Sequence, residues 1–221
     1  VLKELEQFDQ QKPKIFSPHP LYDHFGDPIP KREAIEKLGL DPAFRYILFF
    51  GFIRDYKGLD LLLNAIADPE IKELKIKLLV AGEFYCEPEP YLKIINENDL
   101  GDLVVMSNNF IPDSKVRDYF CAVDLVVQPY KSATQSGVTQ IAYHFNKPMV
   151  ITDVGGLAEF VPDGKAGYVV DADPRLIADA IIKYYQESKE KEFSAEVAAE
   201  KEKYSWSKML DAVDTLLVRE T

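Results

Sequence analysis

Residues that cross-link chains or hold metals are scarce here: 221 residues contain two cysteines, three histidines and one tryptophan. Cys86 and Cys121 belong to no CxxC pair or zinc spacing, which excludes a cysteine metal site and leaves two buried, reduced thiols as the expectation. His19, His24 and His144 are too scattered to propose a metal, and His144, within an amphipathic pattern, reads as a packed residue. No apolar run approaches the roughly 18 residues of a membrane span, and no charged-then-apolar leader is present, so neither a transmembrane segment nor a signal peptide is expected. A cytoplasmic protein follows by default. Positive charge is also short: 26 Lys and Arg against 37 Asp and Glu give −11, which argues against nucleic acid or an anionic membrane as a partner. Any phosphate site must be built locally. Neither a GxxxxGK[ST] phosphate loop nor a GxGxxG turn occurs, which speaks against a nucleoside triphosphatase or a nicotinamide enzyme.

What the chain does have is a core. It is 47% hydrophobic and long enough for one domain, or one domain with an appendage. Residues 1–30 are polar and interrupted by Pro13, Pro18, Pro20, Pro28 and Pro30, which predicts a linker with only a short extended piece at 14–17. Residues 31–221 read as a single domain. Pro30 is placed to open a first helix and Gly39 to stop it. Short, nearly continuous apolar runs follow at 45–51, 75–82, 103–108, 124–129, 148–153 and 167–171, the pattern of strands covered on both faces. Helical patterns separate them at 58–68, 89–98, 112–123, 137–146 and 155–161. This alternation predicts an α/β fold: a Rossmann-like, doubly wound parallel sheet with ligands bound beyond the carboxyl ends of the strands. Extra helices are expected at 173–188, 194–205 and 205–218, with Asp173 and Ser207 as caps, Lys189 to Glu192 as a solvated charged turn, and Trp206 anchoring the tail on the sheet.

Three turns at that sheet edge carry candidate chemistry. In GFIRDYKG (51–58), Gly51 can supply a tight turn while Arg54 and Lys57 stand where a helix begins, a place that already favours an anion. A solvated basic turn would look the same. In TQSGVTQ (134–140), Ser136 and Gly137 allow a ligand close to backbone N–H groups, and Gln135 and Gln140 could bond sugar or ribose hydroxyls; a plain capped turn is the equal alternative. In TDVGGLAE (152–159), two glycines follow a strand and Glu159 opens a helix, where it could simply favour the dipole. Their convergence on one crevice suits a sugar linked to a nucleoside diphosphate.

With VAGE (80–83), FIPDS (110–114), DLVVQP (124–129) and KPMV (147–150), these turns form an ordered set that resembles the C-terminal half of the family 4 glycosyltransferases of the GT-B fold. The likeness runs from HPLYDHFG (19–26) to the final helices. It implies a domain that binds a nucleotide-sugar donor for anomer-retaining, metal-independent transfer, with no cofactor beyond the substrate. By the same resemblance Arg54 and Lys57 would hold the diphosphate and stabilise the departing nucleotide, with Gly51 beside them at the donor site. Ser136, Gly137 and Val138 would offer amides to the distal phosphate, Ile111 would border the nucleobase, and Gly82, Gln135, Gln140 and Glu159 fall in matching segments. Two departures stand out. Phe52 occupies the place where the commoner pattern has Arg, and Ala133 and Ile141 occupy the places of two glutamates that usually precede the Lys-Pro.

The resemblance also implies an N-terminal domain that binds the acceptor, a glycan or lipid-linked molecule. It is expected to be missing from this chain, which would leave the chain inactive alone. A non-catalytic binding or regulatory module, favoured by the absent glutamates, and a sugar-nucleotide epimerase of the same fold are the alternatives. Membrane association at the inner face would depend on that same missing part.

Overall fold

In the computed structural model, which describes residues 5 and 7–218, the six apolar runs are six strands: β1 (Arg45–Phe50), β2 (Ile76–Ala81), β3 (Val104–Ser107), β4 (Leu125–Gln128), β5 (Met149–Thr152) and β6 (Gly167–Val170). They form one sheet in the order β3-β2-β1-β4-β5-β6, with every neighbouring pair parallel. Continuous apolar character has a direct cause here, because side chains alternate between two cores. Tyr46 and Leu48 of β1 enter one core, while Ile47 and Phe49 enter the other.

Helices cover both faces. On the first, α1 (Lys31–Lys37) packs against α5 (Asp113–Ala122), and α6 (Gly137–His144) lies near α8 (Glu190–Glu200). On the second, α2 (Leu59–Ile66) lies between α4 (Glu89–Glu97) and α7 (Pro174–Gln186). Asp173 caps α7 as expected, accepting from the Arg175 amide at 2.8 Å. Among the described residues no helix is long and apolar enough to cross a membrane.

Several local expectations need correction. The helix expected over 58–68 ends at Ile66, and a separate α3 (Pro69–Glu73) follows because Asp68 caps the Glu70 amide and Pro69 starts a new turn. The helix expected over 155–161 is only a 3₁₀ turn, Ala158–Phe160, since Pro162 biases Val161 away from helical backbone. Lys189 to Glu192 is not simply a turn: α8 starts at Glu190, where Glu190 and Glu192 suit the positive end of the helix dipole. That helix stops at Glu200 and tightens into a 3₁₀ turn, Lys201–Tyr204. Ser207 lies inside α9 (Trp206–Val218) rather than at its cap. Trp206 is 50% exposed and belongs to neither core; Tyr204 is the ring buried there, 7% exposed, 4.9 Å from the Tyr143 ring and 5.9 Å from that of Phe160. Both thiols are free, but only Cys121 is fully buried.

The segment 18–29 has no regular structure, yet it packs on the domain. The Leu21 amide donates to Tyr204 O at 2.9 Å, His144 Nε2 donates to Gly26 O at 2.8 Å, and Ile29 N reaches Cys121 Sγ at 3.4 Å. These ties carry Tyr22 and Phe25 to the carboxyl edge of the sheet.

Candidate functional site

The strand order reverses between β1 and β4, so the loops leaving their carboxyl ends diverge and open a crevice. A cleft of about 790 Å³ occupies it. One wall is the 51–58 loop, the other the 129–136 loop with the start of α6; Phe110 and Ile111, after β3, and Tyr22 and Phe25, from the segment before α1, close the ends.

The two loops are fixed by backbone contacts. Gly51 turns the chain at φ 93°, and Ile53 N then donates to Glu83 O at 2.8 Å while Tyr85 N donates to Ile53 O at 2.9 Å. A 3₁₀ turn, Asp55–Lys57, runs into Gly58 at φ 68°. A Cβ there would stand 1.9 Å from Pro129 O, so only glycine lets the loops meet. Lys131 N donates to Tyr56 O at 2.7 Å across the same junction. The Gly155 turn buttresses the second loop from behind, since a Cβ at that residue would stand 1.8 Å from Ala133 O. The DVGG segment therefore shapes the site by close packing rather than by lining it.

Lys57 is the cation this construction delivers. Its side chain lines the cleft beside Gly51, with Nζ 5.8 Å from the centre of the Tyr130 ring, and among the described residues it forms no ion pair. Burial, and then the nearby Arg54 charge, lower its pKa to about 8. Arg54 itself is exposed and turned the other way, its guanidinium 5.3 Å from the centre of the Tyr85 ring. The structure thus brings Lys57 into the cleft and leaves Arg54 outside its walls.

Opposite, Ser136 precedes α6 in extended conformation and does not cap it. Its hydroxyl instead meets Tyr130 Oη at 3.2 Å, so the first amides of an eight-residue helix carry no side-chain cap. Tyr130 is buried, which pushes its phenol well above the ordinary range, and its carbonyl accepts from Thr152 Oγ1 at 2.5 Å. Gly82, Ile111, Gln135, Gly137 and Val138 lie on the cleft walls with Ser136. Gln140 does not: it is 3% exposed and faces a smaller pocket behind Gly137. Glu159 is exposed on its 3₁₀ turn and borders neither cavity.

Ala133 and Ile141, the places of the two missing glutamates, are indeed on the cleft wall. The carboxylates near it come from Glu83 and Asp113 instead. These two, and Tyr22, Phe25, Tyr56 and Tyr130, were not singled out from sequence, although the matching segments 19–26, 80–83 and 110–114 contain four of them. Among the described residues no group of three or more His, Cys, Asp or Glu side chains could hold a metal ion.

The family description "Glycosyl transferases group 1" matches residues 44–187, well over half of the chain. A D-inositol 3-phosphate glycosyltransferase from Catenulispora acidiphila is 31% identical over 160 residues, which is 68% of this chain and 37% of the relative; the chain thus spans little more than a third of that protein. Sucrose-phosphate synthase from Thermosynechococcus elongatus superposes with a TM-score of 0.78 at 18% identity, over 99% of this chain and 55% of that one. The Anabaena protein HepE, solved in complex with UDP-glucose, superposes with a TM-score of 0.73 at 18% identity, over 88% and 55%. The chain belongs to the group 1 glycosyl transferases, and its six-stranded parallel sheet is a Rossmann-like domain of their GT-B fold.

Proposed function

We propose that this chain binds the donor of a glycosyltransferase, a nucleoside-diphosphate sugar, in the cleft between β1 and β4. The observation that carries this reading is Lys57, a desolvated ammonium without an ion-pair partner among the described residues, across the crevice from the uncapped start of α6. A diphosphate bridging the two would meet a cation on one side and backbone donors on the other. The base then lies toward Ile111 and Phe110, and the ribose within reach of Glu83 or Asp113. HepE, solved with UDP-glucose, supports the choice of ligand class.

In this reading the chemistry is breakage of the bond between sugar and diphosphate, with negative charge growing on the departing nucleotide. Lys57 is already placed to stabilise that charge, and a preorganised donor of this kind is typically worth about 10²- to 10³-fold in rate. Transfer retains the anomeric configuration and needs no metal or other cofactor. The sugar is a hexose, and acceptor binding belongs to a further domain, so that residues 1–221 alone bind donor without transferring it.

Calorimetric titration with UDP, GDP and their glucose conjugates tests this. Saturable binding of at least one nucleotide, abolished by Lys57→Ala, is expected. Absence of binding to all of them would replace the reading with a non-catalytic module on the same fold, which the apolar Ala133 and Ile141 would then explain.

A further inference from the structure

Residues 54–57 of the loop after β1 carry the charges of Arg54, Asp55 and Lys57, yet among the described residues these form no ion pair with one another. Tyr56 and Lys57 line the cleft, and Asp55 does not. After burial, the charge that bears on Lys57 is that of Arg54, although Asp55 is nearer in sequence. The carboxylate is held on the far side of the turn.

Tyr91 holds it there. Glu89 and Pro90 open α4 and put Tyr91 in its first turn, where it is 3% exposed and its ring lies 5.7 Å from that of Phe84. Phe84 in turn pairs with Ile53 in an isolated parallel bridge, so the ring and the loop are fixed to the same backbone. Tyr91 Oη donates to Asp55 Oδ1 at 3.1 Å, since a carboxylate can only accept. Burial, and then the thiol and the carboxylate beside it, push the phenol well above its ordinary range, which keeps it a donor at any working pH. Cys86 Sγ stands 3.6 Å from the same oxygen and 3.5 Å from Ile53 O, and so links the hydroxyl to the loop backbone.

We infer that Tyr91 is a positioning residue for donor binding: by holding Asp55 away from the cleft, it leaves the Lys57 ammonium free to meet a diphosphate. The inference rests on the donor-binding reading above and deepens it, because Tyr91 acts on that site without lining it. Asp55 is exposed, so once released from Tyr91 it is free to turn. Arg54 is drawn outward over the Tyr85 ring, which leaves Lys57 as the cation on the cleft side of the turn. A carboxylate swung toward Lys57 competes with the diphosphate for the ammonium and sets a like charge beside the phosphates. The phenol of Tyr91 thus keeps one sign of charge on this wall.

The test titrates UDP and GDP into the chain, into Tyr91→Phe and into Tyr91→Phe combined with Asp55→Asn, from pH 7 to 10. Phenylalanine keeps the ring packed near Phe84 and removes only the hydroxyl, and a urea midpoint measured for each variant registers any general loosening. At pH 7 Tyr91→Phe should weaken nucleotide binding about tenfold, and adding Asp55→Asn should bring it back to within about twofold of the unaltered chain. A carboxylate beside Lys57 also stabilises its ammonium, so the pH above which affinity falls should move up from about 8 in Tyr91→Phe and return in the double variant. Tyr22, His24, Tyr56, Glu83, Asp113 and Tyr130 line the same cleft and are common to all three proteins, so a displacement between them comes from Asp55. An affinity unchanged in Tyr91→Phe, whatever its urea midpoint, would overturn the inference, and so would a loss that Asp55→Asn leaves in place; nucleotide binding by the unaltered chain would still uphold the cleft. Failure of both nucleotides to bind the unaltered chain would instead defeat the donor-binding reading, and this inference with it.

Discussion

The two ends of the sheet both draw charge out of water, but only one closes over it. At the amino ends of the strands, Asp124 is 3% exposed and fully occupied: Lys31 pairs with one carboxylate oxygen, Tyr185 Oη lies 3.4 Å from the other, and its carbonyl accepts from Tyr184 Oη at 3.0 Å. Lys147 lies nearby, its pKa lowered by burial, and its ammonium donates to Val123 O at 2.8 Å. At the carboxyl ends, Lys57 is lowered by burial too, yet among the described residues no carboxylate pairs with it, and the neighbouring helix start is uncapped. Burial by itself therefore does not distinguish a functional lysine from a structural one; the partner does.

That contrast can be broken experimentally. The largest effect should be Lys57→Ala, which is expected to weaken UDP binding by about 10²- to 10³-fold, as truncating one member of a desolvated charge pair does. Its urea midpoint should hold or rise, because the free protein loses a charge it was holding away from water. Next comes the backbone at the same end. Gly58→Ala combines a left-handed φ with a Cβ 1.9 Å from Pro129 O and should cost about 3 kcal/mol by urea unfolding. Gly39→Ala, at the amino end with φ 64° and nothing within 4 Å, should cost only about 1 kcal/mol.

Lys147→Met inverts the first experiment. It should lower stability by about 2 kcal/mol by removing the bond to Val123 O, while the nucleotide affinity of the folded protein stays put. A further effect is in pH. Lys57 has a pKa of about 8 in the free protein, and a bound diphosphate raises it, so binding above pH 8 must take up a proton. Affinity should then fall about tenfold per pH unit above 8, with proton uptake visible as buffer-dependent binding heat, and the slope should vanish in Lys57→Met.

Much of this architecture is legible in the sequence because a parallel sheet buried on both faces writes its strands as continuous apolar runs. RYILFFG and KIKLLVAG need no tertiary information to be read. Side-chain direction does. Arg54 and Lys57 are three residues apart in one turn, yet Tyr85 draws the first outward and only the second enters the cleft. Glu159 reads as part of the site because it follows the Gly155–Gly156 turn, but the 3₁₀ turn leaves it in solvent. Tyr22 and Phe25 carry no periodic signal, being placed by hydrogen bonds to Tyr204 and His144 more than a hundred residues away. Trp206 reads as an anchor by residue type alone, whereas Tyr204, at the end of the preceding 3₁₀ turn, is the ring that faces the core.

The direct test of the central claim is calorimetric titration of UDP into the chain and into its Lys57→Ala and Lys147→Met variants at pH 7. Saturable binding that Lys57→Ala abolishes and Lys147→Met leaves within twofold is the predicted result. Equal loss in both variants, or binding indifferent to Lys57, would contradict it.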